Sequence, residues 1–436
     1  MGLPAGRPIF HLRATRERLS AGISTRNLSV MASQKSALAT LTSGEIISPF
    51  TQLRRLLNGI EPGHAKPIEL TIGEPREAMP DFIVAKLDEA ASLYGKYPPI
   101  RGSDELRGAI AAWLTRRYAI AGGVDPGREI LALNGSREGL FFACLPAAGR
   151  KAVDGRPAIL MCNPYYSAYV AGAIGVGSEP VYLNATAATG FLPDLDELAG
   201  DTALLKRTCA LFINSPANPQ GTVASRGYIL KALSLARAHN FMLFLDECYS
   251  EIYTGAAPAG GLEVAAATPA RFKNLVVFNS LSKRSNLPGL RSGFCAGDAD
   301  FLDSYAEIRN MCAPTIPGPV QHASAAAWGE EAHVEAARAQ YALKFAIADE
   351  LLAGRYGYRR PAGGFCLWLD MEQFGSGSDA TVTLWKRMGV KVIPGAFLAQ
   401  TGRDGTNPGA NFVRVALVQD PATIREALER MVSVLS

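Results

Sequence analysis

The chain has 436 residues, of which 48% are apolar, 8% aromatic and 19% charged. This composition is typical of globular proteins and excludes a collagen, a coiled coil and a largely disordered protein. Lysine and arginine number 44 against 40 acidic residues, and residues 1–44 alone carry six basic side chains and one acidic one. The rest of the chain is therefore close to neutral, and its charge does not indicate binding to nucleic acid.

The cysteines and histidines indicate a compartment and argue against a metal site. Seven cysteines are scattered without a CxxC spacing, and several lie inside apolar runs, which predicts buried reduced thiols in a reducing compartment. The five histidines are isolated, so no metal site is predicted. No apolar run approaches 18 residues, which argues against a membrane-spanning helix. We therefore expect a cytoplasmic protein that binds neither a metal nor a membrane.

The first 40 residues are rich in arginine and serine, poor in acidic residues, and lack the apolar core that a secretory signal needs. Two interpretations remain open for this tail. One is a disordered extension, with Met31 as an alternative first residue, and the other is a transit peptide that directs the protein to an organelle. Residues 1–44 are left out of the fold prediction in either case.

From about residue 128 the chain alternates short apolar runs with helix-like stretches such as 137–147 and 225–239. Alternation of this kind predicts an α/β layer with a largely parallel sheet. The predicted strands are 129–133, 158–162, 209–213, 241–245 and 275–278, and each is followed by a polar residue: Asn134, Asn163, Asn214, Asp246 and Asn279. Because the ligands of such sheets lie outside the carboxyl ends of the strands, these polar residues are predicted to meet in one site.

The last hundred residues have a different pattern. Two alanine-rich helical segments are followed by three short strand candidates and a final helix; these are 320–328, 334–352, 364–370, 390–393, 412–417 and 421–435. This order predicts a separate and smaller α+β domain.

The segment 279–293 carries the most informative chemistry. Lys283 directly follows a predicted buried strand, where loss of water lowers the pKa of its amine and frees it to attack a carbonyl. Ser280, Ser282 and Arg291 beside it offer donors suited to a phosphate. Taken alone, a lysine beside serines is more often part of a surface loop.

Two further segments lie at predicted strand ends. Asp246 ends an apolar strand, so its carboxylate needs a cationic partner, and a protonated pyridine nitrogen would serve. Tyr249 is close enough in sequence to reach the same ring. An equally good explanation of Asp246 is that it caps the next helix. Segment 214–221 contains Asn218 in a rigid proline turn, which alone would be read as a plain surface turn.

Two more segments complete the pattern. Ser136 and Arg137 lie in a strand-to-helix turn whose free backbone N–H groups can bind an anion, and such a turn alone is weak evidence. Tyr166 follows a strand and can stack on a flat ring or pack in the core. A lysine nucleophile, phosphate donors, a buried acid and a stacking aromatic together describe a pyridoxal phosphate site.

The order of these segments resembles that of fold-type I aminotransferases of class I and II, over roughly residues 45–436. The resemblance implies an α/β large domain, residues 86–318, with a mostly parallel seven-stranded sheet that binds pyridoxal 5′-phosphate. It implies a smaller α+β domain built from residues 45–85 and 319–436. The commonest family turn, Asn-Pro-Thr-Gly, here has Gln220 in place of threonine, and no loss of activity is expected from a change at a turn position.

The resemblance also implies roles for the cofactor-binding residues. Lys283 matches the lysine that forms a Schiff base with the cofactor and then moves the substrate's proton, and Asp246 matches the acid that keeps the pyridine nitrogen protonated. Asn218 and Tyr249 match the hydrogen-bond partners of the ring's phenolic oxygen. The residues that match the ring-stacking aromatic and the phosphate binders are Tyr166, Ser136, Arg137, Ser280, Ser282 and Arg291.

Three more residues match substrate and subunit contacts of the family. Gly73 matches the loop that covers the substrate, and Arg414, together with Asn218, matches the group that binds the α-carboxylate. Apolar neighbours on both sides of Arg414 argue against a solvent-facing strand arginine. Tyr97 matches a tyrosine that reaches the phosphate of the neighbouring subunit, which implies a homodimer with shared active sites.

Segments 134–139 and 280–294 look like those of the proteobacterial succinyldiaminopimelate aminotransferases. This resemblance implies transfer of an amino group from N-succinyl-LL-2,6-diaminopimelate to 2-oxoglutarate in lysine biosynthesis. The alternatives are another class I/II aminotransferase, of the aspartate, aromatic or alanine type, and a pyridoxal phosphate-binding transcription regulator, for which the tail is too short to hold a DNA-binding module. Both substrates carry a second carboxylate, for which Arg76 and Arg284 are candidate partners, although each taken singly is better explained as a solvated surface charge.

Overall fold

The computed structural model describes residues 46–435, so the tail predicted at 1–44 lies outside the described residues. The strands, in chain order, are β1 Ile68–Glu69, β2 Ile130–Leu133, β3 Ala158–Asn163, β4 Glu179–Asn184, β5 Thr208–Asn214, β6 Met242–Asp246, β7 Leu275–Ser280, β8 Gly293–Gly297, β9 Cys366–Asp370, β10 Val390–Lys391, β11 Ile393–Pro394 and β12 Phe412–Ala416.

The α-helices alternate with these strands in the first two thirds of the described chain. In chain order they are α1 Pro49–Leu56, α2 Phe82–Glu89, α3 Asp104–Tyr118, α4 Ser136–Phe142, α5 Cys144–Gly149, α6 Ser167–Gly175, α7 Leu195–Gly200, α8 Thr202–Arg207, α9 Arg226–Ala238, α10 Gly261–Ala266, α11 Leu281–Arg284, α12 Ala299–Cys312, α13 Gly318–Gly329, α14 Ala332–Leu352, α15 Gly377–Met388 and α16 Pro421–Val434. No helix within residues 46–435 combines the length and the apolar character needed to cross a membrane.

Seven strands form one sheet in the order β2-β8-β7-β6-β5-β3-β4. β8 runs antiparallel to both of its neighbours, and the other six strands point the same way. The predicted α/β fold with a mostly parallel seven-stranded sheet is therefore confirmed. The apolar-run pattern did not mark β4 and β8, because β4 is an edge strand with mostly half-buried residues and β8 begins and ends with glycine.

The continuous apolar runs of the central strands are explained by helical cover on both sheet faces. Along β6, Leu243 and Leu245 pack into one core layer, whereas Met242 and Phe244 pack into the layer on the opposite face. A strand that is buried on both faces has no polar side to its sequence, which is typical of parallel sheets. The same arrangement brings the carboxyl ends of the parallel strands to one edge of the sheet.

The C-terminal residues build a second core around a smaller sheet. Strands β11, β12 and β9 form an antiparallel sheet in that order, and β1 pairs in parallel with β10. The predicted strand 390–393 is thus divided between two sheets. Because β1 joins β10, residues near the start of the described chain belong to the C-terminal unit, as the resemblance implied.

Two helices lie on the other side of the predicted domain boundaries. α13 packs against α2 and α3, and its Trp328 shares the large core with Ile83 of α2. The ring centroids of Trp328 and Trp113 are 4.7 Å apart. We therefore propose that α2 and α13 belong wholly to the large domain, so that the boundary predicted at residue 85 moves to the start of α2 and the one predicted at residue 318 moves to the end of α13.

Candidate active site

The carboxyl ends of the parallel strands meet as predicted. The asparagines at these ends form hydrogen bonds that support the surrounding loops, and they do not carry the reactive groups of the site. Asn214 donates to the backbone carbonyl of Asp246 at 2.7 Å and accepts from the backbone N–H of Asn218 at 2.7 Å. Asn163 donates to the carbonyl of Gln400 at 2.7 Å. Asn279 accepts from its neighbour's N–H and donates to the hydroxyl of Ser250. These amides fix the loops that carry the reactive side chains.

Lys283 lies on the one-turn helix α11, directly after β7. Its Nζ donates to the carbonyl oxygen of Gly73 and lies 5.4 Å from the centroid of the Phe365 ring. Burial lowers the pKa of Lys283 to about 8. Roughly a tenth of this amine is therefore unprotonated, and nucleophilic, at pH 7, which is a far larger share than in an ordinary lysine.

Asp246 is buried at the end of β6. Its Oδ2 accepts a hydrogen bond from the hydroxyl of Tyr169 at 2.6 Å, and its Oδ1 accepts from the backbone N–H of Cys248 at 3.2 Å. Burial raises the pKa of Asp246, whereas these two hydrogen bonds and the charge of Lys283 lower it. The carboxylate is suited to a cation on its open side.

A cationic cradle is formed between the β2–α4 turn and the segment after α11. Gly135 has a φ of 83°, and a Cβ there would lie 2.2 Å from Nη2 of Arg291, so the absence of a side chain lets the guanidinium lie over the turn. Arg137 donates to the hydroxyl of Tyr166 and stacks over its ring. Within residues 46–435, neither Arg137 nor Arg291 has a carboxylate partner, which leaves both charges for an anionic ligand.

Hydroxyl groups line the same cradle. The Oγ atoms of Ser280 and Ser282 are 2.9 Å apart, and Ser136 Oγ accepts from the thiol of Cys248 at 3.1 Å. Together with the two arginines, these groups supply the donors that a phosphate dianion needs. The structure thus places the five residues predicted to bind phosphate around one turn, and phosphate binding by them stays a prediction.

Three further residues predicted for the site are Tyr166, Tyr249 and Asn218. Tyr166 packs edge-on against Tyr169, with ring centroids 5.7 Å apart. Tyr249 packs edge-on against Phe365 at 5.3 Å, and burial raises its pKa, so that its phenol stays protonated. Asn218 turns its Oδ1 towards Arg414.

Arg414 lies on β12 with its guanidinium buried beside Asn218. Nη1 donates to Asn218 Oδ1 at 3.2 Å, and Nη2 donates to the backbone carbonyl of Thr71. Its Nε is buried and has no partner within residues 46–435. A buried guanidinium without a carboxylate partner within residues 46–435 is complementary to a carboxylate ligand.

The loop that contains Gly73 contacts both Arg414 and Lys283. The carbonyls of Thr71 and Gly73 accept from Arg414 and Lys283, respectively. Further along the loop, Glu77 pairs at 2.6 Å with Lys344, whose side chain is fully buried. The loop therefore lies over the site, as the resemblance implied for Gly73.

The structure contradicts the hypothesis that Arg284 contacts substrate. Its side chain is fully buried, donates to the carbonyl of Ala327 at 2.7 Å, pairs with Glu331 at 2.7 Å, and packs over the ring of Trp328. Adjacent residues of a helix point in different directions, so Arg284 faces α13 whereas Lys283 faces the site. Arg76 is exposed on the Gly73 loop and donates to Gln419 Oε1 at 2.7 Å, so it remains a candidate.

Sequence reasoning missed two residues of the site. Tyr169 lies three positions after Tyr166 on the first turn of α6, and this helical spacing was a usable sign that the two share a face. Phe365 lies between Gly364 and β9, with its ring near Lys283, and no pattern in its segment distinguished it from a core residue.

Residues 65–431 match the model of the family "Aminotransferase class I and II". The chain belongs to this family, whose members depend on pyridoxal phosphate. The cationic cradle, the buried carboxylate of Asp246 and the low-pKa amine of Lys283 fit the phosphate, the ring nitrogen and the aldehyde of that cofactor. Each of these fits rests on side chains of this chain.

Three similar proteins place the chain within the family. An aminotransferase of Neisseria meningitidis has a solved structure with 37% identity and a TM-score of 0.84, covering 89% of this chain and 98% of that one. An LL-diaminopimelate aminotransferase of Syntrophobacter fumaroxidans is 30% identical over 88% of this chain and 95% of its own. A 4-dedimethylamino-4-oxo-anhydrotetracycline transaminase of Streptomyces rimosus is 31% identical over 84% of this chain and 92% of its own.

The low pKa of Lys283 predicts that this amine becomes reactive at a lower pH than other lysines. Its unprotonated form is half populated at about pH 8, whereas an ordinary lysine reaches that point near pH 10.5. Competitive acetylation of the cofactor-free protein across pH 7–11, followed by peptide mass spectrometry, measures this. A Lys283 labelling curve that coincides with those of surface lysines would contradict the prediction.

Proposed function

We propose that this aminotransferase transfers the amino group of N-succinyl-LL-2,6-diaminopimelate to 2-oxoglutarate, in the biosynthesis of lysine. The observation that carries the proposal is the pair formed by the low-pKa amine of Lys283 and the buried, partly unsatisfied guanidinium of Arg414 beneath one loop. This pair suits an amino acid whose α-carboxylate is held while its amino group reacts. The diaminopimelate part is supported by segments 134–139 and 280–294, and by relatives named LL-diaminopimelate aminotransferases.

The chemistry of the proposed reaction follows from the site. Bound pyridoxal phosphate supplies an electron sink for the charge that remains when the donor's Cα loses its proton. Lys283 Nζ binds the cofactor and then accepts and returns the Cα proton, a task suited to an amine whose pKa lies near the working pH. Arg414 holds the α-carboxylate, with Asn218 fixing the guanidinium from the side.

The remaining predicted residues hold and tune the cofactor in this proposal. Asp246 stays ionised and pairs with the ring nitrogen, while Tyr166 covers the ring. Asn218 and Tyr249 donate to its phenolic oxygen. The phosphate is held by Ser136, Arg137, Ser280, Ser282 and Arg291.

A second candidate is another amino donor within the same family. The transaminase of Streptomyces rimosus, named for a tetracycline intermediate, is as similar to this chain as the diaminopimelate enzymes are. Identity near 30% is therefore compatible with more than one donor, including aspartate, aromatic or alanine types.

We further propose a homodimer whose two active sites are shared. Tyr97 is fully exposed and Tyr94, three positions earlier, is also largely exposed, although both are large aromatic residues. Within residues 46–435 the Tyr97 hydroxyl has no hydrogen-bond partner. Exposed aromatic residues in one segment indicate an interaction surface, and a phosphate in a partner's cradle would satisfy the hydroxyl.

The substrate proposal is tested by a screen of amino donors with 2-oxoglutarate as acceptor. We expect the highest kcat/KM for N-succinyl-LL-2,6-diaminopimelate among that compound, LL-diaminopimelate, aspartate, phenylalanine and alanine. Lys283→Ala is the control, and its turnover should vanish, because no neighbouring side chain offers an equivalent amine. A higher kcat/KM for an aromatic donor or for alanine would overturn the substrate proposal.

The shared site is tested with mixed dimers. Tyr97→Phe should weaken cofactor binding by about 1.5–3 kcal/mol, or roughly tenfold to a hundredfold, since it removes one hydrogen bond to a charged group. A hybrid of a Tyr97→Phe chain with a Lys283→Ala chain has one site with both native residues if Tyr97 acts across the interface. That hybrid should bind the cofactor normally in one of its two sites. A hybrid that retains the Tyr97→Phe defect would show that Tyr97 does not cross the interface.

The hypothesis that Arg76 binds the distal carboxylate of an acidic substrate is tested by Arg76→Gln. If Arg76 meets the distal carboxylate, the second-order rate constant of the half-reaction with glutamate, measured without an acceptor, should fall relative to that with alanine by about 1.5–3 kcal/mol, roughly tenfold or more. Arg425→Gln removes an exposed arginine of α16 that pairs with Glu350, and it is the matched control. An unchanged ratio between glutamate and alanine in Arg76→Gln would exclude this role.

A further inference from the structure

Tyr169 is a buried tyrosine whose position is fixed on two sides. Its hydroxyl donates to Asp246 Oδ2 at 2.6 Å. Its ring lies flat on that of Phe212, with centroids 4.5 Å apart and planes 6° from parallel. The side chain starts from the first turn of α6, so the helix, the ring stack and the hydrogen bond together leave it a single orientation.

The contacts of Asp246 divide between its two oxygens. Oδ1 accepts from the backbone N–H of Cys248 at 3.2 Å, and Oδ2 accepts from Tyr169. A carboxylate that accepts from one donor at each oxygen is fixed in its plane. The titratable groups that face it are Tyr166, Tyr169, Glu247, Cys248, Tyr249 and Lys283, and Lys283 is the cation of this set.

We propose that Tyr169 is a positioning residue, which holds the Asp246 carboxylate ionised and aimed at the nitrogen of the cofactor ring. The inference rests on the proposed role of Asp246 towards that nitrogen. Tyr169 acts through Asp246 and makes no contact with substrate. It determines how strongly the ring nitrogen is held in its protonated form.

The charges around Asp246 explain why a donor is needed there. Burial raises the pKa of Asp246 and favours the neutral acid, while the hydrogen bond from Tyr169 lowers it. A neutral acid cannot hold a ring nitrogen protonated. Burial raises the pKa of Tyr169 itself well above 10, so that its hydroxyl remains a donor over the whole working range.

Tyr169→Phe separates this role from packing, because phenylalanine keeps the ring and its stack on Phe212 and removes only the hydroxyl. Two measurements on the holoenzyme and one on cofactor binding are needed. In the half-reaction with glutamate alone, followed by the loss of the bound cofactor's visible absorbance, we expect the maximal rate to fall about tenfold to a hundredfold, with the glutamate concentration at half-maximal rate changed much less. We expect the acidic limb of the kcat/KM profile to move to higher pH, because loss of the hydrogen bond raises the pKa of Asp246.

The binding measurement does not depend on the amino donor. The dissociation constant of pyridoxal phosphate, measured by fluorescence titration of the cofactor-free protein, should rise about tenfold in Tyr169→Phe and show a stronger loss of affinity on acidification. If the dissociation constant rises in this way but the donor screen fails, the proposed substrate is rejected and the role of Tyr169 remains supported.

Tyr356→Phe is the matched control, since this buried hydroxyl also donates at 2.9 Å, but to the carbonyl of Leu435 in the small domain. It should lower thermal stability to a similar degree without changing the pH profile. In an Asp246→Asn background, Tyr169→Phe should have little further effect on cofactor affinity, because the charge that it stabilises is gone. A Tyr169→Phe enzyme with the native pH profile and native cofactor affinity would overturn the proposal and leave Tyr169 a packing residue.

Discussion

The carboxylate of Asp246 is buried at the end of a central strand, and a buried ion without compensation costs several kcal/mol. The structure offsets this cost with donors from Tyr169 and Cys248 and with the nearby charge of Lys283. The backbone of the same residue is tied to β5, since its carbonyl accepts from both the N–H of Ser215 and the amide of Asn214. A carboxylate fixed in this way is oriented to pair with a cation in one direction. The protonated ring nitrogen of the family's cofactor is such a cation.

The cations of the candidate site have no carboxylate partners of their own within the described residues. Within residues 46–435, Lys283, Arg291 and Arg414 form no ion pair, and backbone carbonyls accept from all three. Carbonyls orient a cation without neutralising it, so the charge remains available to a phosphate or a carboxylate. Because the carbonyls that hold Lys283 and Arg414 belong to one loop, ligand binding at either cation is coupled to that loop.

The sequence predicted the fold where both faces of a strand are covered, as in β5, β6 and β7, because burial on both sides leaves an uninterrupted apolar run. It pointed to Asp246 because this acid ends such a run and to Lys283 because this lysine closely follows one, whereas Arg414 was predicted from the family resemblance. It failed for Arg284, since adjacency to Lys283 in sequence places the two side chains on different faces of α11. It missed Tyr169 because, among neighbouring tyrosines, only the packing of α6 on the sheet shows which hydroxyl reaches Asp246.

The residues of the site differ in how far a substitution disturbs the fold. Asp246, Tyr169 and Arg414 are buried and hydrogen-bonded, so a change at any of them leaves an unpaired polar group in the interior. Ile72 and Arg76 lie on the covering loop and are exposed, and surface positions of this kind tolerate substitution at little cost in stability. The buried residues of the candidate site are therefore tied to the core, whereas exposed positions of the covering loop can vary at little cost in stability. This division is consistent with relatives that share about 30% of their residues with this chain and carry the names of different substrates.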